Sequence, residues 1–438
     1  MRFKSILFYA LLTLFFTSCS SSSDTDDDTI IIDPDPTTSS PNILLVIADD
    51  LGKDSTPNFT EGNIKPNMPN LQSLISSGIT FENLWSYPVC TPTRASILTG
   101  KYGSKTGVLE VGDVISTAET SLQEYISTNT GNEYATAIVG KWHLSNNASD
   151  PTTMGIDYYA GLLNGGVQSY TNWNLVENGQ TTNSTEYTTS KFTDLAIDWV
   201  GNQTKPWFLW LAYNAPHTPF HLAPTDLHSQ GNLPTDQASI DANPTPYFMS
   251  AIEAMDSELG RLLSSLSTEE RANTIIIFIG DNGTPNQVAQ FPYGTMRAKG
   301  SIYQGGVNVP MVVSGIGVHR MGVREDALTH TTDLFATIAN IAGTSVQQIN
   351  NSTSFVNLLS DASANERGFV YTERSSNGVS YAIRNANYKL IVHDSGMEEF
   401  YNLTIDAYET SNLIGTTLSA EATNAKIVLE AEAISIRQ

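Results

Sequence analysis

Four short apolar runs in this chain end the same way, at polar residues able to do chemistry. Residues 42–48 read NILLVIA and stop at Asp49-Asp50. Residues 135–140 read ATAIVG and stop at Lys141, Trp142 and His143. Residues 207–213 read WFLWLAY and lead through Asn214, Ala215 and Pro216 to His217. Residues 274–280 read TIIIFIG and lead to Asp281, Asn282 and Gly283. A strand wet on one face alternates apolar and polar side chains. An unbroken run is buried on both faces, as in a parallel sheet covered by helices. Residues 309–314 (VPMVVS) read as a further buried strand. Helical spacing falls between the runs, at 71–77, 122–128 and 332–341. It is clearest at 247–266, where Ile252, Met255, Leu259, Leu262, Leu263 and Leu266 share a face. The expected fold is α/β, a large mostly parallel sheet sandwiched by helices. Ligands in such sheets bind beyond the carboxyl ends of the strands, so the four polar strand ends mark the expected site.

The chain divides unevenly. Residues 368–374, 380–393 and 399–403 read as short strands with close turns, and 418–436 as a closing helix. A smaller C-terminal antiparallel sheet plus helix is therefore expected over 346–438, after a main domain over 41–345. At the other end, Arg2 and Lys4 precede an apolar run, residues 6–16, too short to span a bilayer. Thr17 and Ser18 then precede Cys19. This resembles the lipobox of bacterial lipoproteins, which implies a signal peptide at 1–18 and a lipid on Cys19. A plain secretory signal with an incidental cysteine is the other reading. After Cys19, residues 20–40 are Ser, Thr, Asp and Pro with three isoleucines, so they cannot bury a core, and 19–40 reads as a tether. The serine run and Asp24, Asp26, Asp27 and Asp28 resemble the export tail of Gram-negative surface lipoproteins, with a merely solvated linker as the other reading. The resemblance implies an outer-membrane anchor facing the surface, with the periplasmic face as the alternative.

Charge and cysteines narrow the function. With 22 basic and 45 acidic residues the net charge is −23. Such a chain does not bind nucleic acid through phosphate neutralisation. The two cysteines are Cys19 and Cys90. A lipid on Cys19 leaves Cys90 as a lone thiol in an oxidising compartment, which is unusual. Cys90-Thr91-Pro92-Thr93-Arg94 suits a helix start, with Pro92 in the first turn and Cys90 at the positive end. Asp49, Asp50, Asp281 and Asn282 are oxygen donors, which suit a hard cation, Ca²⁺ or Mg²⁺, better than Zn²⁺. Taken singly, each acid reads as a cap or turn residue. Two adjacent pairs closing buried strands read as metal ligands, because buried carboxylates must be paired or coordinated. Arg94, Lys141, His143 and His217 would give the site a positive lining, although a lysine taken singly reads as a solvated surface group. His221, four residues after His217, reads as a neighbour of the pocket or as a surface residue.

Residues 90–100, CTPTRASILTG, resemble the sulfatase signature. The likeness extends along the folded chain: NILLVIADDLG at 42–52, GKWHL at 140–144, Ala215-Pro216-His217, Asp281-Asn282-Gly283, Lys299-Gly300, and EFYNLTIDAYETSNL at 399–413. It implies an alkaline-phosphatase/sulfatase-like fold. It implies that a formylglycine-generating enzyme, reading Pro92 and Arg94, converts Cys90 to formylglycine. It also implies one Ca²⁺ held by Asp49, Asp50, Asp281, Asn282 and the residue at 90. By the same resemblance, a hydroxyl of the hydrated aldehyde attacks sulfur, and Arg94, Lys141 and Lys299 stabilise the sulfate oxygens. His217, with Lys299, assists the leaving alcohol. His143 takes the second hydroxyl's proton as sulfate is expelled. The stretch KYGSKTG at 101–107 departs from the family, where a histidine-containing segment is common. Tyr158, Tyr159, Tyr170 and Trp173 offer faces for sugar rings or for the core. The expected substrate is a sulfated polysaccharide or its oligosaccharides. The rivals are a phosphomonoester or phosphodiester hydrolase of the same superfamily and a non-catalytic glycan-binding surface lipoprotein.

Overall fold

The computed structural model describes residues 40–438 except 295, 365, 366 and 377. The expected signal peptide, Cys19 and the tether as far as residue 39 lie outside the described residues. Eleven strands build one sheet: β1 (Asn42–Ala48), β2 (Gly78–Trp85), β3 (Ala135–Lys141), β4 (Tyr158–Leu162), β5 (Trp173–Glu177), β6 (Gln180–Ser184), β7 (Trp207–Tyr213), β8 (Thr274–Gly280), β9 (Asn308–Gly315), β10 (Val323–Glu325) and β11 (Thr329–His330). Their order is β10-β2-β9-β8-β1-β7-β3-β4-β5-β6, with β11 also on β2. From β8 to β4 every neighbouring pair is parallel. Beyond that centre β9 runs antiparallel to β8 and β2, and β4, β5 and β6 alternate in direction. The buried run at 309–314 is thus a strand, but an antiparallel one. Its composition carries no sign of direction, because any strand inside a doubly covered sheet is apolar on both faces.

β1 shows why the runs are unbroken. Ile43, Leu45 and Ile47 pack on one face, with Ala95, Ile97 and Leu98 of α2 (Cys90–Thr99), Leu122 and Ile126 of α3 (Leu122–Asn129), and Phe335 and Ile338 of α6 (Asp333–Ala339). Leu44, Val46 and Ala48 pack on the other, with Leu71 and Leu74 of α1 (Pro69–Ser76), Phe192 and Ala196 of α4 (Thr188–Gly201), and Ile252, Met255 and Leu259 of α5 (Thr245–Ser265). Each residue of the strand therefore meets a helix layer.

The smaller sheet is antiparallel, β14 (Val370–Ser375) to β17 (Glu398–Asn402) through β15 (Val379–Arg384) and β16 (Tyr388–Val392). Ala422, Ala425, Leu429 and Ala433 of α7 (Ala420–Arg437) cover it over Tyr371, Ile383 and Leu390. The chain just before it belongs elsewhere. After the hairpin β12 (Gln348–Ile349) and β13 (Ser352–Thr353), Phe355, Val356, Leu358 and Leu359 pack in the core of the large sheet. These residues follow residue 345 in the chain but pack with the large sheet.

The consequence for function is geometric. β8, β1, β7 and β3 are consecutive neighbours and run the same way, so their four polar ends emerge side by side on one edge.

Candidate active site

The strand ends are tied to one another by backbone. The Asp49 N–H donates to Ala215 O at 3.1 Å, and the Asp281 N–H to Ala48 O at 3.2 Å. Asp50 turns the chain with φ 71°, and its N–H donates to Asp281 Oδ1 at 3.0 Å. Asp49, Asp50, Asp281 and Asn282 are all buried. α2 starts at Cys90, as Pro92 predicts. Thr93 Oγ1 accepts the Tyr87 N–H and donates to Val89 O, fixing the entry to the helix. The Cys90 Sγ lies 3.2 Å from His143 Nδ1.

Three cations meet three carboxylates here. Arg94 donates from one terminal nitrogen to Asp281 Oδ2 at 2.9 Å and from the other to Lys141 O at 2.8 Å. Lys141 Nζ lies 2.5 Å from Asp49 Oδ2. Lys299 Nζ lies 2.6 Å from Asp50. Arg94 and Lys141 are fully enclosed, whereas Lys299, His143 and His217 reach solvent. His217 Nε2 is 3.8 Å from Asp50 Oδ2, and its Nδ1 is 2.8 Å from Thr218 O.

Burial and neighbouring charge set the protonation states. Burial pushes the Asp50 carboxyl up, but Lys299, His217 and Lys141 outweigh it and hold it at about 2. Burial lowers Lys299, but Asp50 overrides this and keeps the ammonium above its ordinary range. Burial, Lys141 and Arg94 push His143 well below its ordinary value, so its imidazole is neutral. Burial also lowers His217; Asp50 opposes this, Lys141 and Lys299 add to it, and the result is about 4. Burial raises the Cys90 thiol, with Asp49 and Asp281 adding to the effect against Lys141.

The acids fit a cation. Burial raises the Asp49 carboxyl well above its ordinary value; Lys141 and Arg94 pull it down, and Asp281 and Asp50 push it further up. Carboxylates this crowded favour added positive charge. Asp49 Oδ1 and Asn282 Oδ1 are buried acceptors without a hydrogen-bond partner among the described residues. The Asn282 amide nitrogen donates to Asp50 Oδ1 at 2.7 Å and to Gly283 O, which turns its oxygen free. Asp49, Asp50 and His217 bring one ligand atom each within 4.8 Å of one another. Unpartnered buried oxygens are what a hard divalent cation would take up. Asp49, Asp50 and Asn282 would hold it. Asp281 already serves Arg94 and the Asp50 N–H, and retains lone pairs to join them.

The structure thus brings together Asp49, Asp50, Cys90, Arg94, Lys141, His143, His217, Asp281, Asn282 and Lys299. His221 stands apart. It stacks on Tyr170 at 3.9 Å and bonds the Tyr187 hydroxyl, a supporting position behind His217. Tyr159, Tyr170 and Trp173 pack inward, the Trp173 indole meeting Phe192 edge-on, whereas Tyr158 is half-buried and stacks on Trp199. Trp173 is therefore no sugar platform. Sequence reasoning passed over Asn214, whose buried amide at the end of β7 has no side-chain hydrogen-bond partner among the described residues. Its place beside a strand end was the available signal. Gly165 and Gly166 were also missed, although they lie against the two imidazoles.

A doubly wound sheet that gathers acids, fixed cations and a helix-start cysteine at one edge places the chain in the alkaline phosphatase superfamily. Within it, the chain belongs to the sulfatase family, whose profile, "Sulfatase", matches residues 41–344. Among relatives, the uncharacterized sulfatase YdeN of Escherichia coli is 28% identical over 370 residues, 70% of this chain and 63% of that protein. Mouse arylsulfatase G is 26% identical over 367 residues, 70% of this chain and 66% of its own. The chain spans about two thirds of the length of these curated relatives. The structure of Ps i-CgsB in complex with k-i-k-neocarrahexaose superposes with a TM-score of 0.76 at 24% identity, over 91% of this chain and 93% of that one. That likeness is one of fold.

Proposed function

We propose that this protein hydrolyses sulfate esters of carbohydrates, with Cys90 converted to formylglycine and one Ca²⁺ held by Asp49, Asp50, Asp281, Asn282 and residue 90. The observation that carries the reading is the position of residue 90. It sits at the start of a buried helix, against a neutral imidazole and beside Arg94 and Lys141. Burial disfavours the thiolate, so an unmodified Cys90 is a poor nucleophile. Formylglycine would supply a hydrated aldehyde as nucleophile, and the cation would supply positive charge for the sulfate oxygens.

The chain's own groups divide the remaining work. Three carboxylates and three cations balance, so a divalent cation leaves the centre positive and receptive to an anion. Arg94 and Lys141, locked by their ion pairs, present fixed positive charge that needs no reorganisation. His143, neutral, is set to accept a proton at Nδ1 from the side chain at 90. Lys299 stays protonated and reaches solvent, which suits it to steady a leaving oxygen by charge and hydrogen bonding rather than by giving up its proton. His217 shares that position but is neutral in the free protein, so its part as donor depends on a bound anion raising its pKa.

A carbohydrate substrate is supported by the sugar complex of Ps i-CgsB. A mouth bounded by His143, His217 and Lys299 suits a chain end or a short oligosaccharide. Maturation would involve a formylglycine-generating enzyme, and Cys19 would anchor the protein by lipid to the outer membrane.

Peptide mass analysis tests the nucleophile: conversion removes about 18 Da at Cys90, whereas oxidation at sulfur adds mass. Sulfate release should then be measured on a panel of sulfated glycans beside an aryl sulfate, with the phosphate ester of the same alcohol in parallel. Full activity with unconverted Cys90 would overturn the formylglycine assignment. Faster phosphate than sulfate release would favour the phosphoesterase rival. An aryl sulfate that outperforms every glycan would remove the carbohydrate assignment.

A further inference from the structure

The segment leaving β4, residues 163–170, touches both histidines of the site. Its first link is backbone. The His143 N–H donates to Leu163 O at 3.0 Å and the Trp142 N–H to Leu162 O at 2.9 Å. These bonds hold His143 in the left-handed region, with φ 56°, uncommon for a residue with a side chain. Gly165 then lies along the ring edge: a β-carbon there would stand 2.4 Å from both Cε1 and Nε2 of His143. The ring has little room to yield. Cys90 Sγ is 3.2 Å from its Nδ1, and Thr91 Oγ1 is 3.3 Å from each ring nitrogen.

Gly166 passes the second imidazole, where a β-carbon would stand 3.3 Å from Cε1 and Nδ1 of His217. Tyr170, buried, closes the segment. Its hydroxyl lies 2.6 Å from His217 O and 3.0 Å from Asn214 O. One run of eight residues thus joins the end of β3 to the end of β7 and presents a glycine to each imidazole.

We propose that residues 163–170 are a positioning strap: Gly165 sets the His143 ring against residue 90, and Tyr170 sets His217, so the two imidazoles keep one spacing. The proposal rests on the reading of this centre as a sulfate-ester hydrolase. None of the strap residues is catalytic; they act through the histidines.

The test uses the full mature chain with Gly165→Ala, Gly166→Ala and Tyr170→Phe. It reads kcat and KM on an aryl sulfate, the melting temperature, and the imidazole NMR signals, with His143 assigned through His143→Gln. Gly165→Ala should lower kcat about a hundredfold with KM changed less than about threefold, since small misplacement of a reacting group costs that much. Its melting temperature should hold while the His143 signal moves. Gly166→Ala, with its looser contact, should lose less than about tenfold. Tyr170→Phe should move the His217 signal. The strap is refuted if Gly165→Ala keeps kcat within about twofold, or loses it only as far as the fold itself is lost. A wild-type protein that releases sulfate from no ester ends the sulfatase reading alone. The strap is then decided by whether the His143 signal moves in Gly165→Ala.

Discussion

Asp49 and Lys141 face each other across 2.5 Å with neither side chain reaching solvent. Removing one partner of such a pair leaves a buried charge uncompensated, at a cost of about 3–5 kcal/mol. Asp49→Ala should therefore abolish sulfate release and lower the melting temperature together; an unchanged melting curve would contradict the pairing. Stripping divalent cations with a chelator should likewise stop turnover and lower the melting temperature, with Ca²⁺ restoring both. Undiminished activity after long chelation would remove the cation from the account. A second residue gives a pH signature away from the site. His330 is buried between Tyr87 and Tyr102, and its Nδ1 accepts the Thr332 N–H at 3.1 Å. Burial, with Arg367, holds it well below its ordinary value. The unfolded chain then binds a proton that the native one does not. Stability from this group is full above about pH 6.5 and falls by about 1.4 kcal/mol per unit below it. His330→Asn should flatten the stability-versus-pH curve by one such slope between about pH 6 and 4.5. Denaturant melts with equal pH dependence in both proteins would show that His330 is not buried neutral.

Helix α1 starts without a side-chain cap of its own. Asp256 of α5 supplies one from across the interface: its carboxylate accepts the Leu71 N–H at 2.8 Å and the Asn70 N–H at 3.0 Å. Gly260, a turn later, lets the Asn70 amide approach, where a β-carbon would stand 2.4 Å from it. Asp256→Ala leaves helix-terminal N–H groups unmet and should cost about 1–3 kcal/mol. Asp256→Asn, which keeps an acceptor, should cost less. Equal losses by denaturant titration would mean that the helix end does not depend on this carboxylate. The same logic governs α2, whose residues are all buried and whose end is turned by Gly100 at φ 65°, with Phe335 3.0 Å from where a β-carbon would be. The helix that carries residue 90 and Arg94 is held at both ends.

The small sheet reaches back to the site. Arg374 of β14 pairs with Glu110 at 2.7 Å and donates to Gly300 O, next to Lys299, while Glu373 accepts the Ser104 N–H at 2.7 Å. The Lys299 loop therefore depends on both sheets. At the other end of the chain, no helix among the described residues is long and apolar enough to cross a membrane. The proposed lipid on Cys19 is tested by where the protein partitions. Cys19→Ala should move the protein from the membrane to the soluble fraction with its activity per molecule unchanged, because the anchor takes no part in the site. Continued partition with membranes would end the lipobox reading.

The local grammar of the chain was enough to specify the strands, the main helices and the strand-end residues that the fold gathers at the candidate site, whereas Lys299 was reached only through the resemblance. A buried strand must be apolar throughout, so its end is abrupt, and the polar residues beyond it stand out. Cys90, Pro92 and Arg94 mark a helix start for the same local reason. Three things needed the tertiary structure. The direction of 309–314 depends on which strand lies beside it. Tyr159, Tyr170 and Trp173 could face sugar or core until packing buried them. The strap at 163–170 acts through glycines, and a missing side chain has no chemical signature until the ring that needs the space is in view. Even the site's charge balance is non-local. Asp49 and Lys141 are 92 residues apart and Asp50 and Lys299 are 249 apart. They meet only because sheet order brings β1, β3 and β8 to one edge.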